Sequence, residues 1–294
     1  MKIALSTNLF PNTDADELLA RAKSWRCDGL ELSGLYGHVD LGPAAAAARD
    51  PAGFRAKVEA AGLAVCALDS ELTIGALPHH ALGAALDRGR EALSLARLLG
   101  AAAVIVHGAP RHPGIRLDAQ ISQCAEAANR LGRDAEKAGV ILAVETTGIL
   151  ARSENAWFVR DAADSDSVRI CLNPAAARLA GDAPSVALKR LAGTLAVVRV
   201  AATEPGDQPS AARGGDLPLL IELLKGVVYC GWITLGAAVP GRSAGAQADA
   251  FVAEFAAGIR EVLERPPVEL TAYKGDKNAP RFRPRAGGVA RGCA

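Results

Sequence analysis

The chain has 294 residues, half of them hydrophobic and 22% charged, enough apolar material for a large core and enough charge for a hydrated surface. Its net charge of +1 is uneven: residues 265–294 hold seven Lys/Arg against two Asp/Glu, which leaves the rest of the chain at −4. A mildly acidic body with 4% aromatic residues has neither the basic face expected for duplex binding nor the rings for stacking bases, so nucleic acid is excluded as the main partner.

Cys27, Cys66, Cys124, Cys171, Cys230 and Cys293 are scattered without C-x-x-C spacing, and most have apolar neighbours. That pattern reads as buried free thiols in a reduced, cytoplasmic setting. The opening Met1-Lys2-Ile3-Ala4-Leu5-Ser6-Thr7-Asn8 is too short in its apolar part for a signal peptide. No stretch approaches the roughly 20 apolar residues of a membrane span, so neither secretion nor membrane insertion is expected.

In chain order, short runs rich in Ile, Val and Leu alternate with longer stretches of helical period, the signature of βα units around a parallel sheet. Strands are predicted over 2–6, 29–33, 64–68, 102–107, 140–145, 168–173, 195–201 and 231–236. Helices are predicted over 14–24, 54–61, 80–99 and 117–138, with Gly62, Gly100 and Gly139 where helices should stop. Asp216-Leu217-Pro218 opens the seventh helix as an N-cap acid followed closely by proline, and the eighth spans 244–263. Eight units over residues 1–264 predict one (β/α)8 barrel, because an open nucleotide-binding sheet would show fewer strands and a G-x-G-x-x-G turn after the first. Pro266-Pro267 ends the fold, and residues 265–294, rich in Gly, Pro and Arg, are expected to form an extended or disordered basic tail.

Barrel chemistry sits at the C-terminal strand ends. The polar residues there are Asn8, Glu31 with Ser33, Asp69 with Ser70 and Glu71, His107, Glu145, Asn173 and Arg199; the eighth strand ends on Gly236. Glu145 closes the apolar run Leu142-Ala143-Val144, where an unpartnered carboxylate would be costly, so it needs a cation or donor. His107 ends Val104-Ile105-Val106 and is placed to bind substrate, shuttle a proton, ligate a metal or fix the following loop. Glu31 faces the lumen or pairs with a cation of a neighbouring strand. A run such as Asp69-Ser70-Glu71 more often caps a loop than binds a ligand. His79 and His80 are expected to begin a helix rather than hold a metal, and His38 and His112 fall in loops. Arg213 and Arg242 follow strands seven and eight, where barrels often bind phosphate, but surface arginines are common.

Met1-Lys2-Ile3-Ala4-Leu5-Ser6-Thr7, Cys27-Asp28-Gly29-Leu30-Glu31-Leu32, Val104-Ile105-Val106-His107-Gly108 and Leu142-Ala143-Val144-Glu145 resemble, in order and spacing, the xylose-isomerase-like TIM barrel superfamily of sugar phosphate isomerases and epimerases. Gly214-Gly215-Asp216 and Tyr229-Cys230-Gly231-Trp232-Ile233-Thr234-Leu235 extend the likeness to residue 263. The resemblance implies a divalent Mn or Mg ion held by Glu, Asp, His and Glu at the ends of the fifth to eighth strands, with the two glutamates moving a proton at a sugar carbon. Only Glu145 matches. Asn173 stands at the aspartate position, Arg199 at the histidine position and Gly236 at the second glutamate position, and Ala176 stands where a further histidine sometimes lies.

Arginine stays protonated and offers only donors, so it cannot coordinate a metal. No metal or other cofactor is therefore predicted. Arg199 is expected to take the cation's place and pair with Glu145, the two charges balancing. A small carbohydrate or sugar phosphate is the expected partner, with Asn173, Arg199, Glu31 and Asp69 around it, and a homo-oligomer stays open. Two readings stand side by side: a carbohydrate-binding relative that has lost catalysis, and an isomerase, epimerase or lyase using Glu145 and His107 as acid and base with Arg199 stabilising an enediolate. The histidine-rich metal cluster of the superfamily's DNA repair endonucleases cannot be assembled, because no histidine follows His112.

Overall fold

The computed structural model describes residues 1–10, 13–33, 43–75, 79–202, 216–237 and 245–265. Strands and helices follow in the order β1 (Lys2–Ser6), α1 (Ala15–Ser24), β2 (Gly29–Leu32), α2 (Pro43–Arg49), α3 (Pro51–Ala60), β3 (Ala64–Ile74), α4 (His79–Leu99), β4 (Ala103–Gly108) and α5 (Leu117–Ala138). They continue with β5 (Ile141–Glu145), α6 (Ser153–Asp161), β6 (Val168–Leu172), α7 (Pro174–Leu179), α8 (Pro184–Leu191), β7 (Leu195–Ala202), α9 (Asp216–Gly226), β8 (Trp232–Ala237) and α10 (Gly245–Glu264). The strands form a closed parallel barrel in chain order, with Lys2–Leu5 of β1 registered against Trp232–Leu235 of β8. This is the (β/α)8 TIM barrel expected from the periodicity.

Local chemistry sets the element ends. The Asp14 carboxylate accepts from the amides of Asp16 and Glu17 to start α1. Asp50 caps α3 through Gly53 and is followed by Pro51 at the first helical position. Gly139, at φ 68°, ends α5 in the left-handed conformation that a side chain disfavours.

The period-2 alternation of the strands sorts side chains into two cores. Val104, Val106, Leu142 and Val144 face the helices in the larger cluster. Ala4, Ala67, Ala103, Ile105, Ala143, Cys171 and Val197 fill the lumen, with Ile141, Ala196 and Trp232 packed against them from the strand starts. The same inward rows continue, two residues further on, to Ser6, Asp69, His107, Glu145, Asn173 and Arg199. An apolar plug of mostly small residues thus underlies a polar layer at the C-terminal mouth.

Two differences from the sequence reading stand out. β3 runs on to Ile74 rather than stopping near residue 68, carried past a register irregularity between Asp69 and Thr73 in its pairing with β4. Asn173 lies just outside β6 as the N-cap of α7, its Oδ1 accepting from the Ala176 amide at 3.0 Å. The tail beyond residue 265, Arg213, Arg242 and His38 lie outside the described residues. Among the described residues no helix is long and apolar enough to cross a membrane.

Candidate functional site

The inward rows position Asp69, His107, Glu145, Asn173 and Arg199, Glu31 joins them from β2, and the structure links all six predicted site residues in one network. Arg199 on β7 reaches into the lumen. Its Nη2 lies 2.9 Å from Glu31 Oε1 on β2 and 2.9 Å from Asp69 Oδ2 on β3, and its Nη1 lies 3.1 Å from Glu145 Oε2 on β5. His107 on β4 spans the gap between two of these acids, with Nε2 2.7 Å from Asp69 Oδ1 and Nδ1 2.6 Å from Glu145 Oε2. Asn173 Nδ2 donates to the other oxygen of Glu145 at 3.0 Å.

The predicted pair of Arg199 with Glu145 is present, but it is part of a larger set, and the simple balance of two charges does not describe it. Three carboxylates face one guanidinium. A neutral imidazole has one N–H and one lone pair, and a lone pair aimed at a carboxylate is repulsive. His107 meets a carboxylate at each nitrogen, so the geometry calls for imidazolium. Burial alone would lower its pKa, but Asp69 and Glu145 outweigh burial and raise it from 6.5 to about 10. Two cations among three carboxylates leave one net negative charge.

The acids are perturbed in the complementary sense. Burial would push the Asp69 carboxyl up, yet Arg199 and the His107 hydrogen bond hold it well below its ordinary range. Glu145 is lowered in the same way, burial again opposing and Arg199 and His107 prevailing. Arg199 is raised well above its ordinary value because Glu31, Glu145 and Asp69 outweigh its own desolvation. Beneath this layer, burial pushes the thiols of Cys66 and Cys171 far up, so both stay as protonated lumen filler.

Exposure divides the network by depth. The side chains of His107 and Arg199 are 19% and 14% exposed, whereas Glu145 is at 2% and Glu31 at 0%. The two cations therefore form the face nearest solvent, over buried carboxylates. Both His107 nitrogens are engaged by carboxylates, Asp69 at Nε2 and Glu145 at Nδ1.

Sequence reasoning missed the support around Glu31. Ser33 Oγ donates to Glu31 Oε1 at 3.3 Å and is itself 3.0 Å from Ser6 Oγ, while Thr7 Oγ1 donates to the Ser33 carbonyl at 3.1 Å. The signal was the inward phase of Ser6, two residues past lumen-facing Ala4. Asp69 accepts from the Glu71 amide at 3.0 Å, the loop role expected of it, and also holds Arg199 and His107.

Gly108 fixes the exit of β4 beside His107. A Cβ there would lie 2.3 Å from the Thr147 carbonyl oxygen and 2.9 Å from Leu150 Cγ. Gly108→Ala is expected to cost about 1–3 kcal/mol by overpacking against backbone that cannot swing aside. Chemical denaturation is the check; an unchanged midpoint would show that the β5 loop yields.

A closed barrel of eight parallel strands with ionisable groups gathered at the C-terminal strand ends defines an α/β-barrel protein. The chain belongs to the xylose isomerase-like TIM barrel family, whose model matches residues 19–264. Among solved structures it is similar to 3-keto-D-glucoside 4-epimerase, YcjR, from E. coli, at 18% identity and a TM-score of 0.70 over 89% of this chain and 99% of that one. It is also similar to D-psicose 3-epimerase from Clostridium cellulolyticum H10, at 15% identity and a TM-score of 0.71 over 90% of this chain and 100% of that one. The IOLI protein with a bound zinc atom aligns at 14% identity and a TM-score of 0.72 over 88% and 98% of the two chains. These are likenesses of fold. No curated protein matches the chain in sequence.

Among the described residues no group of three or more His, Cys, Asp or Glu side chains is arranged to hold a metal ion. The reason is visible in the geometry: a guanidinium stands between the carboxylates.

Proposed function

We propose that this chain is a carbohydrate-binding barrel that holds a small sugar or sugar phosphate at its C-terminal mouth without a resident divalent metal. The observation that carries the reading is Arg199, whose guanidinium lies within 2.9–3.1 Å of Glu31, Asp69 and Glu145. The donor chemistry argues against the metal that the family implies. Arg199 cannot coordinate, Gly236 offers no ligand atom, and Asn173 turns a donor rather than an acceptor toward Glu145. An aspartate at position 173 would repel Glu145 in the absence of an intervening cation, whereas the amide satisfies it. Membership of the xylose isomerase-like family and the sugar epimerases among the structural neighbours support a carbohydrate as the ligand.

A second reading is turnover without metal, and the His107 bridge favours it. In this reading His107, held as imidazolium, would give a proton, Glu145 would accept one from a carbon beside a carbonyl, and Arg199 would stabilise the enediolate oxygen, Glu145 being in contact with both other side chains. One titration series separates the readings. Ketohexoses and their phosphates, offered in EDTA, are expected to bind the wild type and to bind Arg199→Ala at least tenfold more weakly. Any isomer formed should disappear in Glu145→Gln; turnover that survives that change removes the second reading. Sugar binding that requires added Mn2+ would contradict the first.

A further inference from the structure

Of the three carboxylates that hold Arg199, only Glu145 is among those that the family resemblance places around its metal. That set comes from the fifth to eighth strands, and here only Glu145 of it remains. The acids that converge on the guanidinium come from β2, β3 and β5, with His107 of β4 closing the ring. Without the guanidinium, three carboxylates and one imidazolium would leave two net negative charges around a single space. Its walls would offer oxygen atoms from Glu31, Asp69 and Glu145, the donor chemistry that hard divalent ions prefer. The wall is also incomplete as it stands: Glu31 is fully buried and its Oε2 has no hydrogen-bond partner among the described residues. A buried carboxylate oxygen left bare is costly, and it marks coordination capacity that Arg199 does not use.

We infer that Arg199 is the chain's own occupant of a divalent-cation cradle formed by the carboxylates of Glu31, Asp69 and Glu145, a set that shares only Glu145 with the ligands the family resemblance implies. The inference rests on the reading that the wild type carries no metal. It predicts that vacating the cradle makes it a metal site.

The test is Mn2+ titration of wild type, Arg199→Ala and Arg199→Asn, followed by loss of the free-ion paramagnetic resonance signal and by thermal melting. Arg199→Asn keeps a short polar side chain and serves should the alanine variant fail to fold. The inference expects one Mn2+ per chain in the variants, a melting temperature that rises with Mn2+, and none of this in the wild type. Adding Asp69→Asn to either variant should weaken Mn2+ binding at least tenfold. Folded variants that bind no Mn2+, or binding indifferent to Asp69→Asn, would overturn the inference while leaving the metal-free reading intact. One Mn2+ bound by the wild type would overturn both.

Discussion

Arg199→Ala is expected to lower the unfolding free energy by about 3–5 kcal/mol, the cost found when one partner of a buried ion pair is removed and the other charge stays behind. Here three acids are left behind, and Glu31 and Glu145 are nearly inaccessible to water. The size of the loss should depend on pH. Near pH 5 and below, the stranded carboxyls can take protons and relieve the repulsion, so the gap between variant and wild type narrows. At pH 7 and above it should be fullest. Arg199→Lys keeps the charge but cannot span three carboxylates with a planar fork, and an intermediate loss is expected. Urea denaturation of the three proteins at pH 5 and pH 7.5 checks this; equal stability of Arg199→Ala and wild type at pH 7.5 would mean that the network contributes nothing to the fold.

The second large effect is on the alkaline side. His107 is raised from 6.5 to about 10 in the folded chain, burial being outweighed by Asp69 and Glu145. A raised pKa contributes stability that is complete below the unfolded value and is lost as pH climbs through the folded one. Wild-type stability should therefore fall by about 1.4 kcal/mol per pH unit across the interval from 6.5 toward 10. Asp69 and Glu145 are lowered, so their contribution is present above their ordinary values and lost as pH falls through the folded ones. The two trends place the maximum near pH 5–6.5, and His107→Gln should flatten the alkaline limb. A His107 imidazole proton that titrates near pH 6.5 by NMR would contradict the bridge between the two acids.

The fold was legible because each strand announces itself as an apolar run between helical stretches, several of which stop at a glycine such as Gly62, Gly100 or Gly139, and eight such runs leave one closed arrangement in chain order. Its ends were less legible. β3 continues past Asp69 because the backbone irregularity at 69–73 lets it keep pairing with β4, and no composition signal marks that. Asn173 reads as the last strand residue but caps the following helix, since Pro174 fixes the first helical position after it.

For the site, the strand-end acids and Arg199 could be picked out singly, because a charge at the end of an apolar strand has to be answered. What the sequence could not supply was distance around the ring. Glu31 and Asp69 lie 168 and 130 positions from Arg199 in the chain and meet the same Nη2 only because the barrel closes. His107 carried its chemistry in its identity, but its protonation follows from being held between two acids, a fact of three dimensions. Small lumen residues such as Ala67 and Ala143 were equally silent, although they belong to the apolar plug beneath the polar layer.

The claim at the centre of this account is that Arg199 stands in place of a metal ion. The most direct measurement is the metal content of wild-type protein purified without added metals or chelators, by elemental analysis before and after equilibration with Mn2+. The account predicts well under one divalent ion per chain in both samples. One tightly held ion per chain would contradict it, place the guanidinium elsewhere in the working protein, and make metal-assisted epimerisation the leading reading.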